Sequence, residues 1–365
     1  MTPPKQILID LLRVKEPHTG LGQVGMAYGR ALAAIDHPAM RFTFLVPPAM
    51  TGCFGDTVHY ITPSPVRDLL SRYRLPGRFD LWHSTHQDVR YRPDSAAVYV
   101  LTVHDLNFIR EKSPVKITCR KNKMNSLLRR ADAVVAISRF TKQDMAAHLT
   151  LRTPVEVIYN GVDKPSGEAS GRPAFAFDGD FFFAIGVFKP NKNYESLVRL
   201  MHAYPDSRLI IAGTYDSGYG KSIINMIHTF GLQDRILTPG AVSEAEKAWL
   251  YAHCKALLFP STNEGMGMPV IEAMHWGKPV VASPMSCIPE FGGEYAYYFT
   301  AMNPAAMRAT VEESLAHHRQ HPESVAAMQR YAAQFSWAEH AAKYVRLFER
   351  ELRIMNYGVN YELRG

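Results

Sequence analysis

Two doubly wound α/β domains, each a Rossmann-like parallel sheet covered by helices, are the architecture this sequence predicts. Apolar runs of strand length alternate with helix-period segments along most of the chain, which is the pattern of βα units rather than of hairpins. The 365 residues suit two cores of ordinary size. Between the halves, Lys164-Pro-Ser-Gly-Glu-Ala-Ser-Gly-Arg-Pro173 has the composition of a linker. The expected division is a first domain over 1–165, a linker over 166–180, a second domain over 181–340, and a closing helix with tail over 341–365. In such folds ligands bind beyond the carboxyl ends of the strands, here in the cleft across which the two domains face.

In order, the first half is expected to hold strands at Gln6–Leu12, Arg41–Val46, Leu81–His83, Ala97–His104, Ala133–Ile137 and Val155–Tyr159. The second half has them at Phe181–Gly186, Arg208–Ala212, Ile236–Thr238, Ala256–Phe259 and Pro279–Ala282. Their near-continuous apolarity fits strands buried on both faces. A helix should start near Asn193, a candidate N-cap, with Tyr194, Leu197 and Leu200 on one side. The longest apolar runs, such as Phe181–Val187, are far too short to span a bilayer, and the N-terminus lacks a secretory pattern. Cys53, Cys119, Cys254 and Cys287 are scattered without metal spacing, so reduced thiols in a cytoplasmic protein are expected.

Charge is divided unevenly. Residues 1–165 hold 23 Lys+Arg against 14 Asp+Glu, a difference of +9, and the remainder hold 18 against 20, so the overall +7 belongs to the first half. The excess concentrates at Arg67, Arg72, Arg74 and Arg78 and over Lys112–Arg130. It suits either a solvated surface or attraction to an anionic membrane or acceptor. No nucleic-acid-binding motif accompanies it, so nucleic acid is not an expected partner.

The chemistry concentrates in Phe259-Pro-Ser-Thr-Asn-Glu-Gly-Met-Gly-Met-Pro-Val-Ile-Glu-Ala-Met-His-Trp-Gly-Lys-Pro-Val-Val-Ala-Ser283, read as strand, polar loop, short helix and strand. Glu264 lies in the loop and Glu272 in the helix. Gly265 and Gly267 let the backbone between the two acids approach a ligand closely. Pro269 suits the first helical turn, whose unpaired amides offer an anion site. Two carboxylates bracketing an amide-lined helix start suit a ligand with both hydroxyls and phosphates, a nucleotide-sugar.

The spacing Glu264-x7-Glu272 within Pro-Ser-x-x-Glu-Gly-x-Gly-x-Pro-x-x-Glu-Ala closely resembles the retaining family 4 glycosyltransferases (glycosyl transferases group 1) of the GT-B fold. Further stretches resemble the same family: Ala131-Asp-Ala-Val-Val-Ala-Ile-Ser138 with Asp144, Val157-Ile-Tyr-Asn-Gly-Val-Asp163, Gly240-Ala-Val-Ser-Glu244 with Trp249, Leu250 and Tyr251, and Pro289-Glu-Phe-Gly-Gly293. Phe335-Ser-Trp337 is similar to the opening of the terminal helix, which in the fold crosses back onto the first domain. The resemblance implies that Glu264 lies near the transferred sugar and that Glu272 hydrogen-bonds the ribose. Met266 and Met268 stand where Phe and Leu are common, a volume-conserving change.

Donor phosphates are then expected at Gly186-Val-Phe-Lys-Pro-Asn-Lys-Asn193, where Lys192 matches the family lysine that stabilises the departing diphosphate. The family often has arginine at the position of Val187 or Asn191. Lys189 can stand in for it, without arginine's bidentate fork. Gly20-Leu-Gly-Gln-Val-Gly25 matches G-x-G-x-x-G but does not follow the first strand tightly. Gly20 and Gly22 instead resemble the family's glycine-rich turn before the first helix, which implies a place near the donor phosphates and the acceptor and makes them expected donor-binding residues. Base recognition is expected from backbone between Thr238 and Ala241, with Gly240 among the donor-binding residues. His104 resembles the family histidine that contacts the transferred sugar, and with Glu264 and Lys192 completes the expected catalytic set. Asp105 is expected to orient local backbone rather than act as a base. His83, Ser84, Thr85, His86 and Gln87 end the preceding strand and can line an acceptor pocket, with His86 and Asp105 the candidate acceptor contacts. Asp178-Gly-Asp180 reads as a solvated turn rather than a metal-binding DxD, and no metal or cofactor is expected.

The function these features imply is a retaining, metal-independent transferase. It would move a hexose of mannose or glucose type from a UDP- or GDP-sugar to a glycan or lipid-linked acceptor, in lipopolysaccharide or exopolysaccharide synthesis. A site in the cytoplasm, peripheral to the inner face of the membrane, goes with it. A nucleotide-sugar epimerase-like protein or a catalytically silent sugar-nucleotide binder of the same fold is the alternative.

Overall fold

The computed structural model describes residues 3–15, 19–70, 75–91, 93–164 and 171–353, apart from the side chains of Arg67 and Leu70. Arg72 and Arg74 of the basic cluster, residues 165–170 of the linker and the tail from 354 lie outside the described residues. The chain divides into two compact units, residues 1–161 with 336 onward, and Val162–Phe335. Residues 336–340 thus group with the first unit.

The sheet of the first unit contains β1 (Lys5–Asp10), β2 (Met40–Leu45), β3 (His59–Ile61), β4 (Phe79–Ser84), β5 (Ala96–Val103), β6 (Ala133–Ala136) and β7 (Val155–Val157). Its order is β3-β2-β1-β4-β5-β6-β7, and every pairing is parallel. The second unit repeats the plan with β8 (Phe182–Ile185), β9 (Leu209–Ala212), β10 (Ile236–Gly240), β11 (Leu257–Phe259), β12 (Val280–Ala282) and β13 (Ala296–Tyr298), in the order β10-β9-β8-β11-β12-β13, again all parallel. Both orders reverse direction beside the first strand of their unit, so each sheet has a topological switch point: β1/β4 in one and β8/β11 in the other.

All residues of β6, β9, β11 and β12 are buried, as the continuous apolar runs require. The edge strands β3 and β13 were not among the expected strands. Each has three residues, mostly half-buried or exposed, and an open edge needs no apolar run to sustain it. The first strand is also shorter than expected. Asp10 Oδ1 accepts the Leu12 amide at 3.1 Å, which folds the chain out of the sheet into a 3-10 turn, Leu12–Lys15.

The closing helix Trp337–Glu351 is capped by Ser336, whose hydroxyl accepts the Glu339 amide at 3.1 Å. Its buried face packs on the helix Gly20–Ala33 through Tyr344 and His340, with ring centroids 5.2 and 4.9 Å from that of Tyr28. Beneath this contact runs a buried polar chain. Tyr28 Oη lies 3.2 Å from His83 Nδ1, His83 Nε2 lies 2.8 Å from Thr102 Oγ1, and Thr102 Oγ1 lies 2.7 Å from Tyr344 Oη. His83 therefore serves the core and does not line an acceptor pocket.

Burial keeps these histidines neutral. It pushes His83 well below its usual value, His104 to about 4 and His340 to about 3. In the unfolded chain a histidine takes up its proton near pH 6.5. Their contribution to folding is therefore full above about pH 6.5 and is lost as pH falls toward the folded values, at roughly 1.4 kcal/mol per pH unit per histidine. The urea midpoint is expected to drop steadily between pH 7 and pH 5. His340 Nδ1 donates to the Tyr159 carbonyl at 2.7 Å. His340→Asn, which keeps a donor but cannot titrate, should flatten that slope by about one proton; an unaltered slope would remove His340 from the account.

Candidate functional site

In the second unit Gly186, Lys192 and Glu264 come together at the carboxyl ends of β8 and β11, the two sides of its switch point. After β8 the chain makes a sharp turn at Gly186 (φ 147°), runs through the 3-10 turn Pro190–Lys192, and enters the helix Tyr194–His202. A methyl group on Gly186 would sit 2.9 Å from Cε and 3.2 Å from Nζ of Lys192, so glycine here makes room for the lysine stem to cross the strand end. Gly213 and Gly240, at the ends of the neighbouring strands β9 and β10, also have positive φ, and the Gly213 amide donates to the Gly240 carbonyl at 2.8 Å. Three adjacent strands thus end in glycine, leaving bare backbone along that edge. Gly213 was missed in the sequence; its signal was its place directly after the apolar run Leu209–Ala212.

Lys192 reaches across the switch point. Its Nζ lies 2.6 Å from Glu264 Oε1 and 5.3 Å from the centre of the Phe259 ring, and both partners of the ion pair are about 15% exposed (14% and 15%). The loop carrying Glu264 is tied down on both sides. Asn191 Nδ2 donates to the Asn263 carbonyl at 2.8 Å, and the Thr262 amide donates to the Asn191 carbonyl at 2.7 Å. The Glu264 amide donates to Ser286 Oγ at 3.0 Å, and Cys287 Sγ donates to the Glu264 carbonyl at 3.2 Å. Asn191, where an arginine is common in the resembling family, is therefore used to fasten the loop. Lys189 is exposed, and none of the described carboxylates pairs with it.

Asn193 does stand at the N-cap position, but its side chain does not cap. The residue is left-handed (φ 51°), which turns the amide toward the Pro260 carbonyl at 3.4 Å. The Tyr194 amide is satisfied instead by the Tyr219 hydroxyl at 2.8 Å.

Glu272 sits in the helix Met268–His275, entered through left-handed Gly267 (φ 77°) after half-buried Gly265 and buried Met266. Both of its oxygens are held. Tyr251 donates to Oε2 at 2.6 Å, and Lys247 Nζ lies 3.4 Å from Oε1. Lys247 was missed in the sequence, where a lysine on a helix reads as a solvated one. Thr238 and Gly240 are half-buried in β10. Asp178 pairs with Arg172, and Asp180 lies 3.4 Å from Lys255. Among the described residues no group of three His, Cys, Asp or Glu side chains could hold a metal ion.

The first unit brings its own candidates to the ends of β1, β4 and β5. His104, just past β5, is buried; its Nε2 faces the Thr85 carbonyl at 2.8 Å and must carry the ring proton. Burial first, and then Arg13, hold it neutral, so only Nδ1 remains as a hydrogen-bond acceptor. His86, half-buried, has its ring centre 5.2 Å from that of His104, and its Nδ1 accepts the Asp88 amide at 2.9 Å. Burial, His104 and Arg13 push it well below the usual value as well. Gln87 is a brace: its Oε1 accepts the His104 amide at 3.0 Å and its Nε2 donates to the Asp105 carbonyl at 2.9 Å. Asp105 Oδ1 accepts the Asn107 amide at 2.9 Å, so it shapes local backbone.

Gly20 and Gly22 lie inside the first turn of the helix Gly20–Ala33 rather than in a turn preceding it. Thr19 is the cap, and its Oγ1 accepts the Gly22 amide at 3.2 Å. Asp10 was not singled out, yet it ends β1 at the switch point and its carbonyl accepts from Thr85 Oγ1 at 2.6 Å. Burial raises its carboxyl to about 6 against the lowering pull of the Leu12 amide and Arg13, which marks it as a group poised to titrate near neutrality.

Residues 37–164 match the family described as Glycosyltransferase Family 4, and residues 169–335 match that described as Glycosyl transferases group 1. The chain is 25% identical over 250 residues to the serotype-specific mannosyltransferase WbdA of Escherichia coli, covering 63% of this chain and 30% of WbdA. It is 26% identical over 239 residues to the O-antigen chain mannosyltransferase RfbU of Salmonella typhimurium, covering 65% of each. The chain therefore spans about a third of one relative and just under two thirds of the other. Among solved structures, sucrose-phosphate synthase from Thermosynechococcus elongatus superposes with a TM-score of 0.72 at 18% identity, over 96% of this chain and 99% of that one. Anabaena HepE in complex with UDP and glucose gives 0.72 at 18% identity, over 95% and 100%. At that identity the likeness concerns the fold.

Proposed function

This chain belongs to the family 4 glycosyltransferases of group 1, and from that premise we propose that it is a retaining, metal-independent hexosyltransferase acting on a nucleotide-sugar donor. The observation that carries the reading is the Lys192–Glu264 pair, an ammonium and a carboxylate 2.6 Å apart astride the switch point, beside strands β8, β9 and β10 that each end in glycine. A mannose- or glucose-type sugar carried on GDP or UDP is the proposed donor. The mannosyl activity in the names of WbdA and RfbU supports mannose, and the UDP held by HepE keeps uridine open. The acceptor is a glycan or lipid-linked glycan of lipopolysaccharide or exopolysaccharide type.

In the proposed reaction the bond between the anomeric carbon and the diphosphate oxygen breaks, and the acceptor oxygen bonds to the same carbon on the same face. The acceptor proton passes to the departing diphosphate. Lys192 stabilises the negative charge that develops on that diphosphate, and Glu264 steadies the positive charge at the anomeric carbon. Glu272 anchors the ribose hydroxyls. Backbone at Gly186, Gly265, Gly267 and Gly240, with Thr238 and Met266, lines the donor, and Lys189 is the second cation for the phosphates. His104 meets the transferred sugar through its neutral ring, while His86 and Asp105 belong to the acceptor.

A melting-temperature panel of UDP, GDP, ADP and their common sugars, each with and without EDTA, tests this reading. One nucleotide is expected to raise the melting temperature in proportion to occupancy, unaffected by EDTA. Stabilisation by none of them, or only with a divalent cation, would count against the proposal.

No described helix is long and apolar enough to cross a membrane. The helix Pro114–Leu128 carries Lys116, Arg120, Lys121 and Lys123 without an acidic residue, buries only Met124 and Leu128, and exposes Val115. A cytoplasmic protein docked on an anionic leaflet through this helix is the proposed setting. Each cation near the surface contributes roughly 1 kcal/mol. Co-sedimentation with phosphatidylglycerol vesicles is expected at low salt and should be lost at high salt. Failure to sediment at low salt would remove the membrane from the picture.

A further inference from the structure

Lys247 is a cation with only 8% of its surface exposed. Its Nζ lies 2.8 Å from Glu244 Oε2 and 3.4 Å from Glu272 Oε1. Burial by itself would drive the group toward neutrality. The charges of Glu272 and Glu244 outweigh burial and raise its affinity for the proton, so it stays charged. One turn further on, Tyr251 donates to the other oxygen of Glu272 at 2.6 Å. Burial, and then the charge on Glu272, push that phenol well above its usual value, so it keeps its proton and remains a donor.

Both side chains stand on the helix Glu244–His253, whose start is locked by a capping box between Ser243 and Glu246. Buried ion pairs of this kind are weak devices for stability, because desolvation offsets most of their attraction. Their use is to orient. An ionised carboxylate has about four lone-pair sites, and with one taken on each oxygen about two remain.

We propose that Lys247 and Tyr251 are positioning residues that make the donor site selective for ribonucleotides, by holding Glu272 so that its remaining lone pairs meet the 2′- and 3′-hydroxyls of a ribose together. The inference rests on the assignment of Glu272 to the donor ribose. A carboxylate so held loses one partner when the 2′-hydroxyl is missing, and a buried acceptor left unpaired is costly.

The test is calorimetric titration with UDP and GDP against their 2′-deoxy counterparts, on wild type, Lys247→Met, Tyr251→Phe and Glu272→Ala. Wild type is expected to prefer the ribonucleotide by about tenfold or more. Both positioning variants should lose most of that preference and approach the ratio of Glu272→Ala, with affinity for the deoxynucleotide changed by no more than about threefold. An unchanged preference in the variants overturns the inference. An equal loss for both sugars marks packing damage and overturns it too. Tyr251→Phe, which keeps its ring, decides the matter if Lys247→Met does not fold. A wild type blind to the 2′-hydroxyl instead overturns the assignment of Glu272 itself, and the inference with it.

Discussion

Lys192→Ala is expected to lower turnover by about two to three orders of magnitude, the range found when one preorganised charge or donor is removed from an active site. The magnitude follows from surroundings. The ammonium is largely shielded from water, sits over the Phe259 ring and is held in place by a 2.6 Å contact to Glu264. A cation fixed in such a place needs little reorganisation when charge develops on the diphosphate. Lys192→Arg should recover part of the loss, because it restores charge but with a planar fork on a different stem.

The same contact has a second consequence. With no donor bound, Lys192 is already neutralised by Glu264, so the diphosphate must compete with that carboxylate for it. Glu264→Gln is therefore expected to leave nucleoside diphosphate affinity unchanged or higher while transfer falls. Steady-state rates at saturating donor, alongside calorimetry on UDP and GDP, separate the two effects. A wild-type rate in Lys192→Ala would take this lysine out of the chemistry.

Glu272→Ala should weaken nucleoside diphosphate binding by about ten- to a hundredfold, equivalent to roughly 1.4–2.7 kcal/mol, with turnover at saturating donor changed only a few-fold. The carboxylate is fixed through both oxygens by Tyr251 and Lys247, so its hydrogen bonds to a ribose would be charge-assisted and preorganised. Interactions made equally in ground and transition states alter the Michaelis constant rather than turnover. The variant leaves Lys247 with Glu244, whose own side chain is 72% exposed, so a melting curve of the free variant belongs beside the titration. A collapse of turnover with unaltered affinity would assign Glu272 to the reacting sugar instead.

Much of this was legible before any coordinates. Strands buried on both faces announce themselves as unbroken apolar runs, and eleven of the thirteen described strands were placed close to where they lie. The edge strands β3 and β13 were not, since three residues carry no periodic signal. Glu264, Glu272 and Lys192 were found through spacing and residue type. Lys247 was not, because a lysine on a helix is ordinarily a solvated one, and only its burial makes it unusual. His83 looked like a pocket residue until Tyr28, Thr102 and Tyr344 were seen around it.

By itself the sequence determined the repeating βα order and the two units, because helix and strand periodicity and turn chemistry are local properties, and it offered two acids and a lysine whose spacing resembles that of family 4 glycosyltransferases. Tertiary structure alone decided which of these groups touch. Lys192 and Glu264 are 72 residues apart, and Lys247 and Glu272 are 25 apart. They meet because β11 lies beside β8, and because the helix Glu244–His253 brings Lys247 and Tyr251 to Glu272 of the helix Met268–His275. Surroundings then set the charge: burial opposes the ammonium of Lys247 but the carboxylates of Glu272 and Glu244 keep it protonated, whereas burial holds His104 neutral. Which charges are shielded, and by what, depends on atoms distant in the chain, and no local pattern encodes that.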